Sequence, residues 1–96
     1  MARKFVIFYD TSLKPTIVLD IVTLHKEINP PEGTIGRAGG GYCDIAKDGT
    51  LVLSGDSTDF GKYSMKMADE AFASKRITLA EEMSYDQLGI TDLITY

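Results

Sequence analysis

The chain contains a single histidine, His25, and histidine is the side chain best suited to move a proton near neutral pH. A general base acts only on a substrate that is held within hydrogen-bonding distance. The residues next to His25 in the sequence do not bind a substrate by themselves, so a catalytic partner must be brought to it by the fold. The alternative is a surface or half-buried histidine with no chemical role.

A run of three glycines, Gly39, Gly40 and Gly41, precedes a β-forming segment. Consecutive glycines lose much backbone entropy on folding, so the run indicates a need for positive φ or for close approach of another backbone. Two structures meet that need. One is an anion cradled by backbone N–H groups, and the other is a β-bulge or a tight strand entry. Taken alone, the pattern favours the bulge.

A polar loop bounded by Gly55 and Gly61 holds Ser57, Thr58 and Asp59 and stands before a predicted helix. Free N–H groups at the start of a helix bind phosphate readily. The alternative is that Ser57 or Asp59 simply caps the helix. The two aspartates of the loop would also repel an anion unless their side chains point away.

Other chemical motifs fail. The glycines of this loop do not form the nucleotide-binding phosphate loop, because five residues rather than four separate them and Tyr63 stands where Ser or Thr is required. Cys43 is the only cysteine, which excludes an intrachain disulfide and a cysteine-based zinc site. We expect Cys43 to be a buried structural residue in a reducing compartment, and we predict no metal and no cofactor.

The elements that would position these residues can be read from periodicity and turn signals. A β-hairpin is indicated by two apolar segments joined at Asp48-Gly49, a strong hairpin turn. The segment 16–24 is ambiguous, because its apolar residues fit a helical stripe while its β-branched content favours a strand. We predict a strand over 16–22 followed by a helical turn at 24–28. Strands are predicted at residues 4–9, 16–22, 42–46, 50–54 and 77–80.

The main helix is predicted over residues 62–74. Met65, Ala68 and Phe72 form its apolar face, with Ala71 behind them. A second helical turn is predicted at 84–88, where Gly89 would cap the C-terminus. Residues 90–96 would form a final strand or a loose tail. The sequence therefore predicts an α+β fold in which one mixed β-sheet carries two helices, all within a single domain spanning residues 1–96.

Composition restricts the function further. Hydrophobic residues make up 44% of the chain, enough for one core. The formal net charge is −4, which argues against binding to a nucleic-acid backbone. No apolar run approaches the roughly 18 residues of a membrane span. We therefore expect a cytoplasmic protein that contacts neither nucleic acid nor membrane.

The glycine run, the hairpin and the loop Gly55-Asp56-Ser57-Thr58-Asp59-Phe60-Gly61 before a helix together resemble the janus/ocnus family, which includes the phosphohistidine phosphatases. That family shows a triple glycine, a hairpin and a G-x-S-x-x-aromatic-G loop at similar spacing. The resemblance covers roughly residues 24–72. It implies a single mixed sheet flanked by two helices.

The resemblance also implies a phosphate site. Backbone amides of residues 57–59 would bind the phosphoryl group, and the glycine run would line the site. His25, in T-L-H-K-E-I, looks like the histidine that serves the family as catalytic base. Lys4 matches a lysine near the family's site.

The chain lacks arginines that the family's phosphatases carry. The phosphatases carry an arginine directly after the triple glycine, and here that residue is Tyr42. The segment between His25 and Gly39 is shorter, and the second strand lacks an arginine. Arg37 and Lys4 remain as nearby cations, and phosphoryl transfer depends on such charges.

These observations lead us to expect a non-catalytic module that binds an anion or a protein. The alternative is a phosphohistidine or phosphoramidate phosphatase with His25 as general base. A third interpretation is an unrelated small domain whose glycines serve only turns. The candidate partners are phosphate, a phosphorylated side chain, another protein, and a second copy paired through a sheet edge.

Overall fold

The computed structural model describes residues 3–80 and 83–96. Within them, one mixed sheet of eight strands is accompanied by two short helices, so the fold is α+β as predicted. The strands are β1 (Arg3–Asp10), β2 (Pro15–Asp20), β3 (Thr34–Ile45), β4 (Thr50–Ser54), β5 (Asp56–Ser57), β6 (Gly61–Lys62), β7 (Ile77–Leu79) and β8 (Asp92–Thr95). The helices are α1 (Met65–Ala73) and α2 (Tyr85–Leu88), and a 3₁₀ turn spans His25–Glu27.

The long strand β3 is the branch point of the sheet. On one side it pairs antiparallel with β1, which continues antiparallel to β2 and then parallel to β7. On its other side it pairs with two different strands. β4 lies along the C-terminal part of β3 and carries β8 parallel to it, whereas β6 meets β3 only at Gly40 and carries β5.

Successive residues of a strand point to opposite sides of a sheet, and here the two sides are covered differently. On the helix face, the strands pack against α1 and α2. The buried residues of this face are Phe5, Ile7, Ile17, Leu19, Cys43, Leu51, Leu53, Tyr63, Ala68, Ala71, Ile77 and Ile90. The opposite side, the turn face, has a smaller cluster under the chain that leads to the 3₁₀ turn. Its buried residues are Val6, Phe8, Val18 and Ile28, with Val22 and Phe60 packed against them.

Several sequence predictions are confirmed. The hairpin forms between β3 and β4, and Asp48 fixes its turn by accepting the Thr50 N–H at 2.9 Å. The ambiguous segment is a strand, β2, which ends at Asp20, and the helical turn predicted beyond it is the 3₁₀ turn. α2 ends at Gly89 in the left-handed conformation. Residues 90–96 include a strand, β8, rather than a loose tail.

The predicted start of the main helix is wrong. Helix α1 begins at Met65 rather than at residue 62, because Ser64 is its N-cap and accepts the Met67 N–H at 3.2 Å. Met65 is 42% exposed, so it does not belong to the buried face, which Ala68 and Ala71 form. Neither helix of the described residues is long and apolar enough to cross a membrane.

Candidate functional site

The glycine run forms a β-bulge in β3. Val6 of β1 pairs with Gly40, and Phe8 pairs with Arg37, so two steps along β1 match three steps along β3. The extra residue falls where Gly39 has φ +83°, a conformation that L-residues adopt only with strain. The bulge alternative is therefore what the backbone adopts.

Crowding explains why glycines occupy the bulge. A Cβ on Gly39 would overlap the carbonyl oxygen of Lys62, where β6 arrives beside β3. A Cβ on Gly41 would overlap the carbonyl oxygen of Ser54, where β4 leaves β3. Three strand segments therefore meet β3 within a few residues, and only glycine permits this approach.

The ring of His25 lies against the same bulge from the turn face. The side chain is 3% exposed, and its Nε2 is 2.7 Å from the carbonyl oxygen of Gly41. A Cβ on Gly40 would lie 3.2 Å from His25 Cδ2. Because a carbonyl can only accept, the Nε2 that faces it carries a proton.

Hydrogen bonds within the 3₁₀ turn stabilise the segment that carries His25. The Glu27 carboxylate accepts the Leu24 N–H at 2.7 Å, and the Ile28 N–H donates to the His25 carbonyl at 3.0 Å. Ile28 is 1% exposed and anchors the end of the turn in the core of the turn face. The position of the imidazole is thus fixed by packing below the turn and by hydrogen bonds at both ends.

Lys4 and Tyr42 complete a polar cluster around His25. They are directly opposite each other in the β1–β3 ladder, so their side chains share a face. The Lys4 ammonium donates to the carbonyl of Thr23 and lies 5.8 Å from the centroid of the Tyr42 ring. That ring meets the His25 ring edge-on at 5.7 Å. We call Lys4, His25 and Tyr42 the basic cluster.

The polar loop is a small hairpin formed by β5 and β6, and it does not lead directly into α1. Ser57 is 3% exposed, and its Oγ accepts the N–H groups of Asp59 at 3.2 Å and Phe60 at 3.1 Å. The expected helix N-terminus at this loop, and capping of that helix by Ser57 or Asp59, are therefore wrong. Two amides of the loop already have a partner, while Thr58 and Asp59 are exposed.

The structure nevertheless places the loop beside the glycine run and the basic cluster. Lys62, at the end of the loop, pairs with Gly40. At its beginning, a Cβ on Gly55 would lie 2.9 Å from the Tyr42 ring. Tyr42 therefore stands between His25 and the loop. From the sequence, Tyr42 was noted only because it stands where the family's phosphatases carry an arginine. Its position opposite Lys4 in the β1–β3 ladder is what places it at the site.

Arg37 is the second cation of this face. Its guanidinium lies 4.8 Å from the centroid of the Phe60 ring, on the polar loop, and 5.5 Å from that of Phe8. In the part of the chain that the structure describes, the single salt bridge joins Arg76 to Asp10 at 3.6 Å. Neither Lys4 nor Arg37 is therefore neutralised by an ion pair among these residues.

Cys43, next to Tyr42 in β3, points to the other side of the sheet and is buried as predicted. Burial raises the pKa of its thiol to about 12, with Arg3 opposing and Asp44 reinforcing the shift more weakly. Since the thiolate is the nucleophilic form, burial and the raised pKa both disfavour reaction of Cys43 at neutral pH.

No protein-family model, curated protein or solved structure matches this chain. The likeness to the janus/ocnus family therefore rests on the sequence features of residues 24–72. Among residues 3–80 and 83–96, no three His, Cys, Asp or Glu side chains come together as metal ligands. The candidate site is consequently defined by the basic cluster, the glycine bulge and the polar loop.

Proposed function

We propose that this chain has a janus/ocnus-like fold and is a non-catalytic module that binds an anionic group, namely the phosphoryl group of a phosphorylated side chain. The observation that carries the proposal is the convergence of Lys4, His25 and Tyr42 beside both glycine segments. A phosphoryl group needs cations and hydrogen-bond donors on one surface. The ammonium of Lys4 retains two of its three donors after bonding to Thr23, and the Tyr42 hydroxyl adds another.

The donors differ from those implied by the family resemblance. The amides of Asp59 and Phe60 donate to Ser57, so the polar loop does not offer them to a ligand in this arrangement. The exposed residues Thr58 and Asp59 and the glycine bulge would border the anion rather than enclose it. Binding therefore depends chiefly on the side chains of Lys4 and Tyr42.

Absence of turnover is expected from the same geometry. Phosphoryl transfer requires positive charge around the transferred oxygens. Tyr42 occupies the position at which the family's phosphatases carry an arginine, and Arg37 lies at the far side of the polar loop on Phe60. Within the described residues, Lys4 is left as the one cation on the Tyr42 ring, which the His25 ring also contacts. A site of this kind can hold a phosphoryl group without accelerating its transfer.

Titration with inorganic phosphate, followed by amide NMR, tests the proposal. We expect saturable shifts at residues 39–41, at residues 57–59 and at His25, with little change elsewhere. Lys4→Gln should weaken binding at least fivefold, and added salt should weaken it further because the site is partly exposed. Lys66→Gln is the matched control. It removes the same charge from an exposed position of α1 and should leave the phosphate affinity unchanged. No shifts at millimolar phosphate would refute the proposal.

A second function, hydrolysis of a phosphoramidate such as phosphohistidine, is favoured by one observation. The Nε2–H of His25 is donated to the Gly41 carbonyl, which leaves Nδ1 as the ring nitrogen that would act as the general base. In this function His25 would direct water at phosphorus, as the family resemblance implies.

His25→Gln separates the two functions. Its side-chain amide can still donate to the Gly41 carbonyl, but it cannot act as a base. If the chain is a binding module, the natural protein does not hydrolyse a phosphoramidate and His25→Gln retains phosphate binding. Hydrolysis by the natural protein that falls at least a hundredfold in a folded His25→Gln variant would establish the second function in its place.

A further inference from the structure

Two aromatic rings position the Arg37 guanidinium, and its N–H groups remain available to bind an anion. Its guanidinium contacts the rings of Phe8 and Phe60, with centroid distances of 5.5 and 4.8 Å. Phe8 is 1% exposed and therefore fixed in the core of the turn face, whereas Arg37 itself is exposed. Stacking on aromatic rings restricts the plane of a guanidinium and leaves the N–H donors at its edge available to a ligand.

Among the described residues, no acidic side chain lines the cavity beside Arg37 or forms a salt bridge with it. The cavity has a volume of about 150 Å³, and Arg37 is its only charged lining residue among the described residues. The cavity is lined by Phe8, Pro30, Thr34, Ile35, Gly36 and Arg37. A space of this size beside one planar cation suits a carboxylate, which a guanidinium binds through two parallel hydrogen bonds.

The sheet sets the spacing between this cavity and the basic cluster. Arg37 is opposite Phe8, and Tyr42 is opposite Lys4, so both sites lie on the turn face along β1. Lys4 and Phe8 are four residues apart, which corresponds to about 13 Å at roughly 3.3 Å per residue. Because Val6 between them is fully buried, a ligand that reaches both sites crosses the chain that covers this part of the face. An extended peptide spans the same distance in four residues.

We infer that Arg37 forms a second anion subsite, and that the ligand is an extended phosphopeptide with an Asp or Glu four residues from its phosphorylated residue. The inference rests on the proposed function, because it takes the basic cluster as the phosphoryl site. Arg37 then selects among phosphorylated segments by binding the carboxylate, while Phe60 orients its guanidinium. The two interactions also determine which residues of the peptide occupy the two subsites.

The experiment measures the affinity of fluorescent peptides by anisotropy. Each peptide carries phosphoserine or a hydrolysis-resistant phosphohistidine mimic, with Asp placed four residues before or after it. Matched peptides carry Asn instead of Asp. With the natural protein, we expect one of the two Asp placements to bind three- to tenfold more tightly than its Asn counterpart. Arg37→Gln should abolish this difference, and Lys66→Gln, on the helix face, should preserve it.

The outcomes distinguish the inference from the proposed function. If phosphate-dependent binding persists but the preference for Asp is absent, or survives in Arg37→Gln, the Arg37 subsite is refuted and the phosphoryl site stands. If neither phosphorylated peptide nor inorganic phosphate binds, both are refuted. Loss of the Asp preference in Arg37→Gln, with phosphate shifts of the basic cluster unchanged, supports the inference.

Discussion

The helix face and the turn face of the sheet are built from alternate residues of the same strands, yet they are covered in different ways. On the helix face, α1 and α2 close over an extensive apolar cluster. On the turn face, a few apolar residues lie under a 3₁₀ turn and one loop. Polar and charged side chains consequently reach the surface there. The contrast assigns stability mainly to the helix face, and our proposal places ligand binding on the turn face.

β3 shows the division within two consecutive residues. Tyr42 points to the turn face and is 43% exposed, whereas Cys43 points to the helix face and is 6% exposed. Their neighbours on β1 follow the same alternation, since Lys4 is partly exposed and Phe5 is fully buried. A substitution on one face should therefore change stability, and a substitution on the other should change binding.

The largest predicted effect comes from Leu53→Ala on the helix face. Leu53 is 0% exposed, and loss of a buried leucine side chain leaves a cavity, so the free energy of unfolding should fall by about 3–4 kcal/mol. Urea denaturation measures this loss. The phosphate affinity of the folded protein should remain within twofold of the natural value.

Tyr42→Ala is the counterpart on the turn face. Because its ring is partly exposed, we expect a loss of stability of only about 1 kcal/mol together with clearly weaker phosphate binding. Equal effects of Leu53→Ala and Tyr42→Ala on both stability and phosphate affinity would contradict the division between the faces.

The next prediction concerns Gly39, in the bulge of β3. Gly39→Ala combines a strained φ of +83° with overlap between the new Cβ and the Lys62 carbonyl oxygen, so we expect a loss of about 2–3 kcal/mol. Gly33→Ala is the matched control, because Gly33 has φ +87° but no atom within 4 Å of a Cβ. It should lose only about 1 kcal/mol.

The difference between these two variants, measured by urea denaturation, isolates the contribution of close approach between β3 and β6. If Gly39→Ala were as stable as Gly33→Ala, crowding would not explain the glycine. The run would then have to be explained by backbone conformation or by an anion. A loss of phosphate binding in a fully stable Gly39→Ala variant would favour the anion.

Local chemistry made much of the fold predictable. Asp48-Gly49 between two apolar segments is a strong hairpin signal, and the apolar strand β1 and the helix with Ala68 and Ala71 follow from composition and periodicity. The start of α1 was missed because Ser57, Asp59 and Ser64 can all cap a helix. Because Lys62 pairs with Gly40 as part of β6, the helix begins only after Ser64. Local sequence does not encode that pairing.

The candidate site was predictable in its members but not in their arrangement. The sequence indicated His25, Lys4 and the two glycine segments, and the structure places them side by side. It did not indicate that Ser57 would occupy the loop amides with its own hydroxyl. Nor did it indicate the stacking of Arg37 on Phe60, because residues distant in the sequence meet there only after the bulge shifts the register of β3.

The last effect concerns Cys43, and it tests the closure of the helix face directly. The pKa of its thiol is about 12 in the folded protein, against an ordinary value of 9.0. Folding therefore favours the protonated thiol. This contribution to stability is complete below pH 9 and is lost as the pH rises from about 9 to about 12. By pH 10.5 the loss should be about 2 kcal/mol, at roughly 1.4 kcal/mol per pH unit.

Urea denaturation between pH 8 and 10.5 measures this slope, and Cys43→Ala serves as the control because it retains every other titrating group. The difference between the two slopes belongs to the thiol alone. At pH 8, a thiol reagent should modify the folded protein at least a hundredfold more slowly than the denatured chain, since burial suppresses both ionisation and access. Rapid modification of the folded protein would mean that the core of the helix face does not seal this side of β3. In that case the helix face would be as open as the turn face, and the assignment of stability to one side and binding to the other would fail.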